Sequence, residues 1–349
     1  MPQETKRMSV VQGRPNVGIR DIARDSGVSI ATVSRVLHGR ASVDPALREK
    51  VEQTVAALGY RPNMVARNLR MQRTRTVGVI VPNIGNAYFA DIVRAIQDVA
   101  SASSYTALLI NSDGSPVHED AAIRTLDERQ VDGLILVSSS GVASPALASL
   151  IQRGTAVLAA DRAIRGVDID HVLVDTRSGT REAVAHLAAL KRRRIAFMAG
   201  PAQLWTAKEK LAGFKEGLRK AGLAFDASLV LPGDYTFDSG EAQAHALLAL
   251  KPRADAVIIA NNLMTLGAMR VLLRQSIAIP RDLALVGFDD AAWTDVVRPA
   301  VSVVSQPARA LGEMAMKTLL ARLEAPASPP VRQMLQTQFL ARESTLGLQ

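Results

Sequence analysis

Residues 19–38 read IRDIARDSGVSIATVSRVLH, and their spacing is that of two short helices joined by a tight turn. Arg20–Ser26 supports a first helix that Gly27 breaks, because glycine adopts positive φ without a steric penalty. Ser29 is placed to cap a second helix running through Val33, Val36 and Leu37, its hydroxyl accepting an orphan backbone N–H. Ala23 is small where two helices must approach, and Val28 and Val33 plug a miniature core. Ile30, Ala31, Ser34 and Arg35 are left on the outer face, where a helix-turn-helix presents side chains to base edges in the major groove.

Charge supports that reading. The chain of 349 residues carries a formal net charge of +9. Residues 1–76 hold 14 Lys and Arg against 6 Asp and Glu, while the remainder holds 28 against 27. An imbalance confined to the first fifth of a chain marks a nucleic-acid-binding segment on a neutral body. Asp44-Pro45 then opens a third helix with Leu47, Val51, Val55 and Leu58 on one face, and Gly59 ends it. After Arg61-Pro62 comes a short helical stretch, NMVARNLR, and the polar run MQRTRT.

From Val77 the texture changes. Apolar runs VGVIVP, YTALLIN, VDGLILVSS, AVLAAD and HVLVD alternate with helix-length spacers, and RRIAFMAGP, ADAVIIAN and LALVGFDD form a second series. Strands buried on both faces and separated by helices are the mark of βαβ units in parallel sheets. The segment TRSGTREAVAHLAAL between the two series reads as the helix that begins a second sheet.

Composition narrows the function. There is no cysteine, which excludes a disulfide framework, a zinc finger, an iron–sulfur cluster and a cysteine nucleophile. No apolar run approaches the roughly 18–20 residues of a membrane span, and the polar start MPQETKRMSVVQGRP lacks the apolar stretch of a signal peptide. The expectation is a cytoplasmic protein with no membrane, metal or cofactor.

The run DIARDSGVSIATVSRVLHG, followed by ALGYRPNMVARNLR and TVGVIVPNIGNAYFADIV, resembles the LacI/GalR family of bacterial transcription repressors. The resemblance continues through ANNLMTLGAM, IPRDLALVGFDD and SVVSQPARALGEMA. It implies an α/β protein with an N-terminal helix-turn-helix DNA-binding domain and a hinge helix. Behind them it implies a two-lobed, periplasmic-binding-protein-like core of doubly wound parallel sheets. The expected divisions are a flexible basic tail (1–16), the helix-turn-helix domain (17–61), and the hinge helix and linker (62–76). Core subdomains are expected at 77–175 plus about 306–335, and at 176–305 plus about 336–349.

The resemblance also implies partners: operator DNA, a second copy of the chain, and a small-molecule effector between the lobes. The chain ends ARESTLGLQ without leucine heptads, so a homodimer reading a pseudo-palindrome is expected. On the DNA side the expected residues are Ile19, Ser29, Ile30, Ala31, Thr32, Ser34, Arg35 and His38. His38 stands where the family often has Asn, and Gly18 where it usually has a Thr or Ser cap. The nine-residue hinge PNMVARNLR is too short to be stable alone. It is expected to fold on DNA, with Leu69 wedged at a base step and Asn63 and Ala66 on the same face.

On the effector side the resemblance points to residues at strand C-terminal ends. These are Tyr88, Phe89, Ser138, Asp161 and Arg162 in one lobe, and Thr206, Lys210, Tyr235, Asn261 and Asp289 in the other. Lys210 stands where many relatives carry Arg. Trp293, close after GFDD, is expected to stack on a sugar ring. Carboxylates, an amide and a guanidinium suit a ring of hydroxyls, so a sugar or sugar derivative is favoured. A purine sandwiched by Tyr88 or Phe89 and Tyr235 is the alternative. An α/β oxidoreductase is the other: doubly wound sheets often bind dinucleotides, but PNIGNAYF follows the first strand in place of G-x-G-x-x-G.

Overall fold

The computed structural model describes residues 17–37, 43–60 and 73–347. The expected tail at 1–16, His38 and the hinge residues Asn63, Ala66 and Leu69 lie outside them. The chain divides between Arg73 and Thr74 into two compact units.

The first unit contains α1 (Ile19–Ser26), α2 (Ile30–Leu37) and α3 (Pro45–Leu58). Gly27 sits at φ 65° and closes α1, while Val28 N–H returns to the Ala23 carbonyl at 3.1 Å. Gly18 has no side chain to cap with, and the box is completed from the other direction: its N–H donates to Asp21 Oδ2 at 2.9 Å. Ser29 Oγ accepts from Thr32 N–H at 3.1 Å. Asp44 Oδ1 accepts from Ala46 and Leu47 ahead of α3. Ile22, Ala23, Val33, Val36, Val43 and Val51 fill the space between the three helices.

The second unit has two lobes, each built on a six-stranded sheet. The first sheet takes β1 (Thr76–Val81), β2 (Thr106–Asn111), β3 (Gly133–Leu136), β4 (Ala156–Asp161), β5 (Asp170–Asp175) and β11 (Arg332–Gln336). Its order is β11-β5-β4-β3-β1-β2, all parallel. The second takes β6 (Ile195–Met198), β7 (Val230–Leu231), β8 (Ala256–Ile259), β9 (Ala284–Phe288), β10 (Ser302–Ser305) and β12 (Gln338–Leu340). Its order is β12-β10-β9-β8-β6-β7, with β12 antiparallel to β10.

Alternation along the central strands explains their continuous apolar sequence. Val77, Val79 and Val81 face α4 (Ala87–Ala102) and α12 (Ala308–Glu324). Ile80 faces the cluster on α5 (Pro116–Glu128) and α6 (Pro145–Gln152). In the second lobe Ile195 and Phe197 face α7 (Thr176–Ala189) and α8 (Trp205–Lys220), whereas Ala196 and Met198 face α9 (Phe237–Ala249) and α10 (Asn262–Arg274). With helices on both faces the interior positions of these central strands are closed to water. The chain passes between the lobes three times: from β5 into α7, from β10 into α12, and from β11 into β12.

Candidate functional site

In open α/β sheets ligands bind outside the carboxyl ends of the strands, and there the two lobes enclose a cavity of about 250 Å³. Tyr88, Phe89, Asp161 and Arg162 line it from the first lobe, and Thr206, Lys210, Tyr235, Asn261 and Asp289 from the second. The structure thus gathers nine of the eleven expected positions around one space.

Each side chain is held by its element. Asp161 ends β4 at φ 63° and Asp289 follows β9 at φ 68°; Asp tolerates this left-handed region better than most residues. Tyr88, in the first turn of α4, donates its hydroxyl to Asp161 Oδ1 at 2.7 Å. Arg162 Nη1 donates to the Ser138 carbonyl at 2.9 Å, and Nε lies 3.6 Å from Asp161 Oδ2. Across the cleft Lys210 Nζ donates to the Ala260 carbonyl at 2.7 Å, 4.1 Å from the Phe288 ring centroid. The Tyr235 ring fits because residue 200 is glycine: a Cβ there would lie about 2.0 Å from the ring.

Burial shapes the electrostatics. It raises the Asp289 pKa, against the pull of Lys210 and Gln306, and lowers that of Lys210, against the pull of Asp289 and Asp161. Tyr235 is pushed up to about 12 by burial. Tyr88 is held well above its ordinary value by burial first, and then by Asp161 and Asp289.

Two expected residues sit elsewhere. Ser138 is fully buried behind the wall, donating to Glu119 Oε1 at 3.3 Å and accepting from Gly141 N–H at 3.0 Å. Its neighbour Ser139 lines the cavity instead. Trp293, in α11 (Trp293–Val296), packs against the apolar core of the second lobe and is not part of the cavity wall. Asn261 lines the cavity, but both ends of its amide are engaged: Oδ1 caps α10 through Met264 N–H, and Nδ2 donates to the Tyr235 carbonyl.

The structure adds residues that the sequence reading did not name. Asn86 Oδ1 caps α4 through Tyr88 N–H and also accepts from Asn262 Nδ2 at 2.8 Å, a direct bond from lobe to lobe. The same Asn262 nitrogen donates to Asp289 Oδ2 at 3.2 Å, and Gln306 Nε2 donates to Asp289 Oδ1 at 2.5 Å. The cap position before α4 was legible in NIGNAYF. The partnership of residues 86 and 262 had no local signal.

In the first unit Ser29, Ile30, Ala31 and Arg35 are exposed on one side of α2, with Ile30 at 47%. Thr32 and Ser34 are half-buried, and Ile19 packs partly against the head's own core. An exposed leucine-sized side chain beside a guanidinium suits groove contact, the one with thymine methyls and the other with guanine.

Residues 18–63 match the family described as bacterial regulatory proteins, lacI family, and residues 184–345 match the periplasmic binding protein-like domain. Catabolite control protein A of Priestia megaterium is 36% identical over 306 residues, covering 87% of this chain and 92% of that protein. A complex of the transcriptional regulator CelR with cellobiose superposes with a TM-score of 0.72 at 33% identity, covering 95% of this chain and all of the other. The lac repressor dimer bound to operator and the anti-inducer ONPF gives 0.83 at 28% identity, with the same coverage. Among the described residues no helix is long and apolar enough to cross a membrane.

Proposed function

Since the chain belongs to the lacI family of bacterial regulatory proteins, we propose that it is a repressor whose operator affinity is set by a sugar or sugar derivative bound between its lobes. It is a DNA-binding transcriptional regulator of that family. It works in the cytoplasm as a homodimer, with α2 of each copy in one half-site of the operator. The observation that carries the effector reading is the cavity itself, where carboxylates, a guanidinium, an ammonium and phenols from both lobes face one space. A ligand spanning it contacts both lobes at once and so shifts the balance between their arrangements. Tyr88 and Phe89 meet each other edge-on, centroids 5.2 Å apart at 65°. A flat purine would need one of them and Tyr235 as its two faces, whereas the carboxylates, guanidinium and amides of the wall match a ring of hydroxyls.

The test is a mobility-shift titration with the duplex upstream of the protein's own gene, with and without a panel of sugars. A salt-sensitive shift that one sugar abolishes or strengthens supports the reading. A shift that answers only to purines overturns the effector class. Arg35→Ala should cost about 1–3 kcal/mol and relax base preference at one position per half-site. Equal loss on every sequence would make Arg35 a phosphate contact. Asp289→Ala should weaken effector binding by about 1.5–3 kcal/mol while leaving operator binding intact, giving a repressor deaf to its signal.

A further inference from the structure

We propose that the effector is an uncharged polyol, and that the cleft rejects the phosphorylated or carboxylated form of the same sugar. This rests on the effector reading above and narrows it. Asp161 and Asp289 are buried in the cavity wall with two cations, Arg162 and Lys210, while Asp113 and Asp234 line it from exposed positions. Both cations are already engaged. Lys210 Nζ donates to the Ala260 carbonyl and lies against the Phe288 ring; Arg162 Nη1 donates to the Ser138 carbonyl, with Nε 3.6 Å from Asp161. An anionic group entering this space must give up its water where no uncommitted cation is left to pair with it, and an unpaired buried charge is costly.

The hydrogen-bonding demand points the same way. Among the described residues three buried polar atoms of the wall make no hydrogen bond of ordinary geometry: Tyr235 Oη, Gln306 Oε1 and Arg162 Nε, which meets only Asp161 at 3.6 Å. The guanidinium nitrogen needs an acceptor, the amide oxygen needs a donor, and the phenol can do either. A hydroxyl both donates and accepts, so adjacent hydroxyls answer all three and also the Asp161 and Asp289 carboxylates. A phosphate or carboxylate at neutral pH only accepts. Placed beside Gln306 Oε1 or either carboxylate, where a hydroxyl would donate, such a group has no proton to give.

The experiment is titration calorimetry on the full-length protein with matched probes: ribose and ribose 5-phosphate, then glucose, glucose 6-phosphate and glucuronate, with cellobiose and hypoxanthine alongside. A neutral sugar should bind about tenfold or more tightly than its charged counterpart. Equal or tighter binding of the phosphate or uronate overturns the proposal and leaves the sugar reading standing. Binding of hypoxanthine alone overturns both. Asp289→Asn keeps size and an acceptor while removing one charge, so it should narrow the discrimination about threefold or more. An unchanged ratio would show that charge does not set it.

Discussion

The two lobes repeat one strand order and place an aspartate at the same point in it, yet they hold that aspartate in opposite ways. Asp161 at the end of β4 and Asp289 just after β9 both take left-handed backbone angles. In the first lobe the partners are a buried phenol and a guanidinium. In the second they are two neutral amides, with Lys210 acting from a distance. A guanidinium keeps its charge wherever it is placed, whereas an ammonium can release its proton when its counter-charge goes. The first lobe is therefore the more rigidly committed half of the cleft, and the second the more adaptable one.

Asp161→Ala is the harshest way to test this. It strands the buried Arg162 and the Tyr88 hydroxyl together, and removing one partner of a buried pair costs about 3–5 kcal/mol. Asp289→Ala leaves two amides short of an acceptor and a lysine that can neutralise, so about 1–3 kcal/mol is expected. Urea unfolding of both variants decides the matter, and equal losses would erase the contrast.

The tyrosines sharpen it. Tyr88→Phe removes a hydrogen bond to a charged group and should cost about 1.5–3 kcal/mol. Tyr235→Phe removes a buried hydroxyl that makes no hydrogen bond of ordinary geometry among the described residues, so its cost at neutral pH should stay below about 0.5 kcal/mol. Burial pushes the Tyr235 phenol up to about 12 from its ordinary 10.0. A raised pKa contributes stability that is complete below the unfolded value and lost as pH climbs through the folded one. Wild-type stability should thus fall between pH 10 and 12, and Tyr235→Phe should fall less. A steeper decline in the variant would place the titration elsewhere.

A further probe is Asn262→Ala. It deletes the bond to Asn86 across the cleft and the one to Asp289 but leaves Asn86 capping α4, so about 0.5–1.5 kcal/mol is expected. Its sharper signature is faster amide exchange at the start of α10, where Asn262 also meets Asp289. Exchange that stays at the wild-type rate would show that the lobes are tied by other means.

The same contrast governs how much could be read from the chain. Central strands such as VGVIV and AVII announce themselves because both faces are covered, and capping residues such as Asp44 and Ser29 act within three residues of themselves. β11, RQMLQ, and β12, QFL, carry no long apolar run because they lie outside the covered centre of their sheets; alternate positions of β11 are exposed, and no residue of β12 is fully buried. Asp161 and Asp289 were legible from their place at strand ends. The bond from Asn86 to Asn262 and the grip of Gln306 on Asp289 join positions whose proximity only the folded lobes create. Ser138 was legible as a strand-end residue, but its inward turn toward Glu119 depends on a carboxylate contributed by a different helix.

The late arrival of β11 has a consequence for how the protein is made. β5 ends at Asp175, and its outer neighbour begins only at Arg332. At a synthesis rate of about 5–20 residues per second, the ribosome needs roughly 8–30 s to supply that strand. Until residues 308–336 are made the nascent first lobe lacks α12 as well as β11, so part of its apolar face is uncovered and the edge of β5 offers unpaired N–H and C=O groups to any passing chain. A ribosome stalled before residue 308 would hold a first lobe adhesive along one edge and one face. Chaperone capture of the nascent chain should peak in that window and fall once Gln336 has left the ribosome.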